Sequence, residues 1–347
     1  MSDRVVAVAG AGLTGASWAG LFAAAGLETR LYDVRPDALE PALRDAARAA
    51  RFLAEHGLAD GGEAARGLAA LSATSDAGVA FAGVSLVQEC VREDLALKRE
   101  VFALIGGLAP PDALICTSSS GLSISALQTA AAHPERCLAA HPYNPPHLVP
   151  LVELAPGPLT SPEALTRARD FYVAVGKEPV VLDRDIPGYV ANRLSAALWR
   201  EAVELVRSGV ASAGDVDRAV REGPGLRWSV MGPHLLYDLG GGEQGIRGHV
   251  EHLAATKAGM LADLATWTEL PADTAGVLEA GLADEKAGRG FAELCDLRDE
   301  LLAATLAARS AVWARAAAGP GATTPDRGTG AAAARTWTTE EGASWRS

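Results

Sequence analysis

The segment Gly10-Ala11-Gly12-Leu13-Thr14-Gly15 constrains this chain more than any other. It follows the apolar run 4–9 (RVVAVA) and opens an Ala-rich stretch over 11–25 that Gly26 ends. Strand pattern, glycine turn and helix pattern in succession give each glycine a reason. Gly10 permits the tight turn, Gly12 lets the backbone approach a diphosphate, and Gly15 lets the helix lie against the strand. The free N–H groups of the first helical turn, around Leu13 and Thr14, then face the phosphates. Asp33 ends the next apolar run, about 20 residues on, where a carboxylate accepts hydrogen bonds from the ribose hydroxyls. A carboxylate there repels a 2′-phosphate, which favours NAD over NADP, while Arg35 two residues later leans the other way. FAD is the weaker alternative, because no second flavin-binding segment is visible.

The same alternation continues. A helix opens at Pro36, well suited to a first turn, and runs to about residue 55. Further β-like runs fall at 84–90, 113–117, 137–140, 149–154 and 179–182, with helices at 94–108, 123–132 and 162–175 between them. Strands alternating with helices predict βαβ units, hence an α/β, Rossmann-type, doubly wound and mostly parallel sheet. After Asp185-Ile186-Pro187-Gly188 the strands cease. A long amphipathic helix at 189–208 and segments near 213–221, 247–264, 272–287 and 291–318 predict an all-helical second domain. The expected division is a dinucleotide-binding domain over 1–185, a helical substrate and dimerisation domain over 186–318, and a flexible Ala/Gly/Thr/Pro-rich tail over 319–347.

Composition narrows the partners. Of 347 residues 49% are apolar and 21% charged, an ordinary globular balance, and the formal net charge is −12. Such an acidic chain is a poor partner for nucleic acid or an anionic membrane surface. No run reaches the roughly 18 apolar residues of a membrane span. Met1-Ser2-Asp3-Arg4 leads straight into the first strand, which leaves no room for a cleavable leader. Cys90, Cys116, Cys137 and Cys295 lie far apart and read as reduced residues of a cytoplasmic protein. No metal is expected, since His249 and His252 have no further ligand in a known spacing. Lysine occurs only at 98, 177, 257 and 286, which singles out Lys98.

The chemistry is concentrated in Ser118-Ser119-Ser120-Gly121, His141-Pro142-Tyr143-Asn144-Pro145-Pro146 and Glu153. His141 stands at the end of a β-run, where a sheet edge faces a cofactor. Glu153 sits in the apolar run 148–154, and a carboxylate there is expensive to bury unless paired. Pairing with His141 would fix the imidazole tautomer and raise its basicity. Taken singly, each residue has a plainer reading, a satisfied core histidine and an exposed edge carboxylate.

With these motifs in this order, the chain resembles the 3-hydroxyacyl-CoA dehydrogenase family over about residues 4–312. The resemblance places the family's catalytic serine, histidine and glutamate on Ser120, His141 and Glu153, at spacings of 21 and 12 residues. It places the asparagine that opens the helical domain on Asn192, cofactor contacts on Glu93 and Lys98 of REDLALK, and a further one on Asn144. It implies that His141 takes the proton of a 3-hydroxyl while hydride leaves C3 for NAD, with Glu153 stabilising the imidazolium and Ser120 and Asn192 holding the reacting oxygen. It also implies a homodimer through the helical domain, for which stripes on 189–208 and 297–315 are candidates.

The helical half is most similar to the branch that holds L-carnitine dehydrogenase and L-gulonate 3-dehydrogenase (lambda-crystallin), in the stretches 197–212, 223–233 and 240–249. Arg227, beside Trp228, suits bidentate capture of a free carboxylate, which a thioester does not offer. Its plainer role is a salt bridge between domains or subunits. The segment 36–70, where acyl-CoA enzymes bind CoA, has no lysine, although Arg44, Arg48, Arg51 and Arg66 could substitute. Trp199, Trp228, Tyr143 and Tyr237 are open to two roles, a cage for a quaternary ammonium or packing in a core or dimer interface. The expected substrate is therefore an L-3-hydroxy acid with a free carboxylate. The alternatives are 3-hydroxybutyryl-CoA or another acyl-CoA, a β-ketoreductase of polyketide biosynthesis, and a non-catalytic NAD-binding crystallin-like protein.

Overall fold

The computed structural model describes residues 5–317, so the tail expected at 319–347 lies outside it. The described residues divide into two compact units, residues 5–191 with 299–317, and Asn192–Arg298. The last helix thus contributes residues to both.

The first unit runs β1 (Val5–Ala9), α1 (Leu13–Ala24), β2 (Glu28–Tyr32), α2 (Pro36–Glu55), α3 (Gly61–Ala69), β3 (Leu71–Thr74), α4 (Ala77–Phe81), β4 (Leu86–Glu89), α5 (Leu95–Leu108), β5 (Leu114–Thr117), α6 (Ile124–Leu127), β6 (Cys137–Pro142), β7 (Leu151–Pro156), α7 (Pro162–Ala174) and β8 (Glu178–Val181). The helices start where the sequence supplies a cap: Asp60, Asp76, Asp94, Ser123 and Ser161 each accept a first-turn N–H with their side chains. The eight strands form one sheet in the order β3-β2-β1-β4-β5-β6-β7-β8. Every neighbouring pair is parallel except β6 and β7. The order reverses between β1 and β4, which opens the crevice where ligands of such sheets bind. Behind it, Trp18 and Phe22 of α1, Leu31 of β2 and Tyr172 of α7 are buried in one apolar core.

Three elements were not expected. The edge strand β3 is four residues of partly exposed pattern (LSAT), with no continuous apolar run to mark it, and α3 and α4 are short. The helix expected over 123–132 stops after Leu127 and tightens into a 3-10 turn at Gln128–Ala130.

In the second unit α8 (Ala191–Arg207) leads into α9 (Ala213–Glu222), α10 (Pro224–Val230), α11 (Pro233–Gly240), α12 (Gly245–Asp263), α13 (Thr274–Lys286) and α14 (Phe291–Ala317). No strand occurs among its described residues. Helices α10 and α11 are too short for periodicity to reveal, although each begins at a proline. Helix α8 starts two residues later than expected because Gly188 and Tyr189 take left-handed φ values of 77° and 46°. No described helix is long and apolar enough to cross a membrane. Among the described residues no group of three side chains could hold a metal ion, and all four cysteines are free thiols.

Candidate active site

The glycine loop lies at the C-terminal edge of β1. Gly10 has φ 112°, and a Cβ there would stand 2.8 Å from the Cys90 carbonyl group at the end of β4. A Cβ on Gly15 would stand 1.8 Å from the Gly10 carbonyl oxygen, so helix and loop touch backbone to backbone. Gly12 differs: nothing lies within 4 Å of its Cβ position, and the adjacent Leu13 is 78% exposed. No side chain caps α1, and its first turn carries no acidic residue. The loop therefore offers open space beside uncapped N–H groups, the cradle that a diphosphate requires. Asp33, just past β2, closes its far side. One carboxylate oxygen accepts the Ala11 N–H (2.9 Å) and the other the Arg35 N–H (3.0 Å), which fixes the group beside the loop.

Beyond β4 and β5 in the sheet, β6 and β7 pair antiparallel with His141 directly opposite Glu153. That register turns a separation of 12 residues into a side-chain contact, Nδ1 to Oε2 at 3.0 Å, with both groups buried. The other oxygen of Glu153 accepts N–H groups from Val190 (2.8 Å) and Ala191 (2.9 Å). Burial by itself would raise the Glu153 carboxyl, but the bonds from His141, Ala191 and Val190 outweigh it and hold the group below the ordinary carboxylate range. Glu153 is thus an anion that accepts from His141 Nδ1, and in the neutral imidazole that bond leaves the lone pair on Nε2. Ser120, after β5, lies 2.9 Å from that Nε2 and in that tautomer donates its hydroxyl proton to it. The result is a Ser120–His141–Glu153 relay able to accept a proton at one defined atom.

The two halves of the chain match the two family models for 3-hydroxyacyl-CoA dehydrogenase, the NAD binding domain over residues 5–186 and the C-terminal domain over 188–294. The chain belongs to the 3-hydroxyacyl-CoA dehydrogenase family. It is an NAD-dependent oxidoreductase, and the open cradle at Gly12 fits that cofactor. The chain is 40% identical to an L-carnitine dehydrogenase of Streptomyces coelicolor, over 87% of its own length and 95% of the relative's. It is 38% identical to an L-carnitine dehydrogenase of a Pseudomonas species, over 88% and 94%. The crystal structure of 5-formyl-3-hydroxy-2-methylpyridine 4-carboxylic acid 5-dehydrogenase, described as an NAD+ dependent dismutase, matches with a TM-score of 0.74 and 31% identity, covering 87% of this chain and 96% of that one.

The remaining residues that the family resemblance singles out fall in three kinds of place. The Lys98 ammonium is 1% exposed and donates to Glu89 Oε1 (2.8 Å) and the Val91 carbonyl (2.9 Å). A buried charge needs a paired partner, and Glu89 provides it. Glu89, itself fully buried, also accepts from Thr117 (2.6 Å) and from the Val91 N–H (2.7 Å). Lys98 therefore holds the 89–93 segment that borders Gly10. Glu93 is a second organiser, accepting from the Gly121 N–H (2.7 Å), the Leu122 N–H (2.9 Å) and the Ser119 hydroxyl, and so shaping the loop that carries Ser120. Burial opposes its ionisation, yet these bonds and Lys98 keep it below the ordinary range.

Asn144 is exposed in the loop that leaves β6. Asn192 is the first residue of the second unit, in the opening turn of α8. Arg227 and Trp228 are exposed on α10, and among the described residues Arg227 has no ion-pair partner. Of the four aromatics considered for a cage, Tyr237 stacks on His249 at 4.7 Å and has the Lys257 ammonium 4.8 Å above its ring, while Trp199 and Trp228 are 46% and 40% exposed. Sequence reasoning missed Glu89, although it stands in an apolar run as Glu153 does and the same signal could have found it. It also missed Tyr189 and the two amides that hold Glu153, for which no local signal exists.

Proposed function

We propose that the chain oxidises the 3-hydroxyl of an L-3-hydroxy acid bearing a free carboxylate, of the carnitine or gulonate type, and reduces the corresponding 3-ketone in reverse. The observation that carries this reading is the His141 Nε2 lone pair, fixed by Glu153 on one side and met by Ser120 on the other. Bound NAD+ supplies the hydride acceptor. His141 accepts the hydroxyl proton as C3 loses its hydride, and the imidazolium so formed is stabilised by Glu153, which two backbone amides keep ionised. Ser120 and Asn192 hold the reacting oxygen, and in the reducing direction His141 returns the proton to the alkoxide. Asp33, Gly10, Gly12, Leu13, Thr14 and Gly15 bind the cofactor, with Glu93, Lys98 and Asn144 shaping its nicotinamide side.

The free-carboxylate class is supported by the L-carnitine dehydrogenases that match most of the chain and by a structural relative named for a carboxylic acid. Arg227, unpaired among the described residues, is the carboxylate clamp in this reading. The exposed Leu194, Trp199, Leu301 and Trp313 support a homodimer as the working form. The free thiols support a cytoplasmic setting.

The test is a substrate panel followed as NADH formation: L-carnitine, L-gulonate, L-3-hydroxybutyrate and its CoA ester. The expected outcome is turnover of a free acid with Arg227→Met raising its KM. Preference for the CoA ester, with Arg227→Met without effect, overturns the substrate class.

A further inference from the structure

The turn between β8 and α8 touches both members of the pair, and only part of it is explained by the reaction above. Val190 and Ala191 bind Glu153 through their N–H groups. Tyr189, the residue before them, lays its ring on the His141 imidazole, with centroids 4.8 Å apart and planes 26° from parallel. It does so at φ 46°, a left-handed conformation that an aromatic residue rarely adopts. The turn is pinned by the Tyr189 N–H to the Ile186 carbonyl (3.1 Å) and by Asp185, which accepts from Ser123. The side chain is 2% exposed.

The phenol oxygen of Tyr189 is buried without a hydrogen-bond partner among the described residues. Burial, together with the carboxylates of Asp185, Glu93 and Glu153, holds its pKa well above the ordinary range, so the hydroxyl carries no proton traffic. What remains is the ring. It excludes water from one face of the imidazole, and its π face meets the cation that His141 becomes on accepting a proton.

We propose that Tyr189 is a positioning residue for the relay: its ring sets the plane of His141 so that Nδ1 points at Glu153 and Nε2 at Ser120, while the next two amides set Glu153. This rests on His141 being the acid–base group. Because the ring and not the hydroxyl does this, Tyr189→Phe keeps the function and Tyr189→Leu loses it.

The experiment uses the full chain with nitrogen-labelled histidine, so that NMR reads the His141 tautomer without any substrate. Tyr189→Phe is expected to keep the Nδ1–H tautomer and near wild-type kcat. Tyr189→Leu is expected to populate both tautomers and to lower kcat by about tenfold or more, the scale of losing a group that orients a reacting side chain, with the Kd for NAD+ unchanged. If the leucine variant does not fold, Tyr189→Met takes its place. A leucine or methionine variant that keeps both the tautomer and kcat overturns the proposal, as does a phenylalanine variant that loses as much as the leucine one. If the protein turns over no hydroxy acid at all, the tautomer comparison still decides the role of Tyr189, so its failure and that of the proposed reaction remain distinct.

Discussion

The two units differ in what they do with their apolar residues. In the first, Trp18, Phe22, Phe81, Phe102, Leu31 and Ile115 are buried, and the buried polar groups around them are largely bonded: Glu89 to Lys98, His141 to Glu153, Lys177 to the carbonyls of Pro146 and Val149. In the second, Val203, Ala213, Val216, Gly248 and Thr274 are the buried members among the described residues, whereas Leu194, Leu226, Leu239, Val250, Met260 and Leu261 are each more than half exposed. A unit with so few buried residues cannot be stabilised by its own core. The first carries the NAD binding domain and holds the His141–Glu153 pair in a buried, bonded setting. The second leaves much of its apolar surface exposed, which the homodimer proposed above would cover.

Three outcomes test that contrast, and the largest concerns the first unit. His141→Ala is expected to lower turnover by about 10²–10⁴-fold, while NAD+ binding, measured by fluorescence titration, stays as it was because the glycine cradle is local. Near-normal turnover would remove His141 from the chemistry. The next concerns the second unit. Leu194→Glu, on the exposed face of α8, is expected to weaken self-association by on the order of 2 kcal/mol or more and to lower the mass seen by light scattering, with NAD+ binding retained. A wild-type chain already monomeric at working concentration defeats this one.

The smallest effect lies again in the first unit. Burial lowers the Lys177 amine to about 7 from its ordinary value of 10.5. Between those two values the unfolded chain binds the proton that the folded one has released, so stability rises with pH above 7 and the gain is absent below it. From pH 7 to 8.5 the increase amounts to about 1–2 kcal/mol in the free energy of unfolding, and Lys177→Met is expected to abolish that slope in denaturant titrations. An unchanged slope in the variant would place the titration elsewhere.

Much of the first unit was legible from the chain alone. The strand boundaries of β1 and β5 fall within a residue of expectation, because buried strands read as short apolar runs between breakers. The glycine loop was legible for the same local reason. The second unit was less so: α10 and α11, at seven and eight residues, carry too few turns for an apolar period to stand out. Within the site, the residue types at 120, 141 and 153 could be named from motif and spacing. The bond from Lys98 to Glu89, nine residues away at the end of β4, is not legible from its motif position.

What the sequence determined by itself is therefore what neighbours along the chain decide: the strand–glycine–helix turn at Gly10–Gly15, the carboxylate after β2, the helix caps, and the alternation that makes a parallel sheet. What only the tertiary structure decided is what distant segments do to one another. The antiparallel register of β6 and β7 sets Glu153 opposite His141, the buried ion pair takes Lys98 into the interior, and the strained turn at Tyr189 closes over the imidazole. Local patterning fixes which backbone forms where. The protonation state and direction of a buried side chain depend on partners that folding alone brings within hydrogen-bond reach.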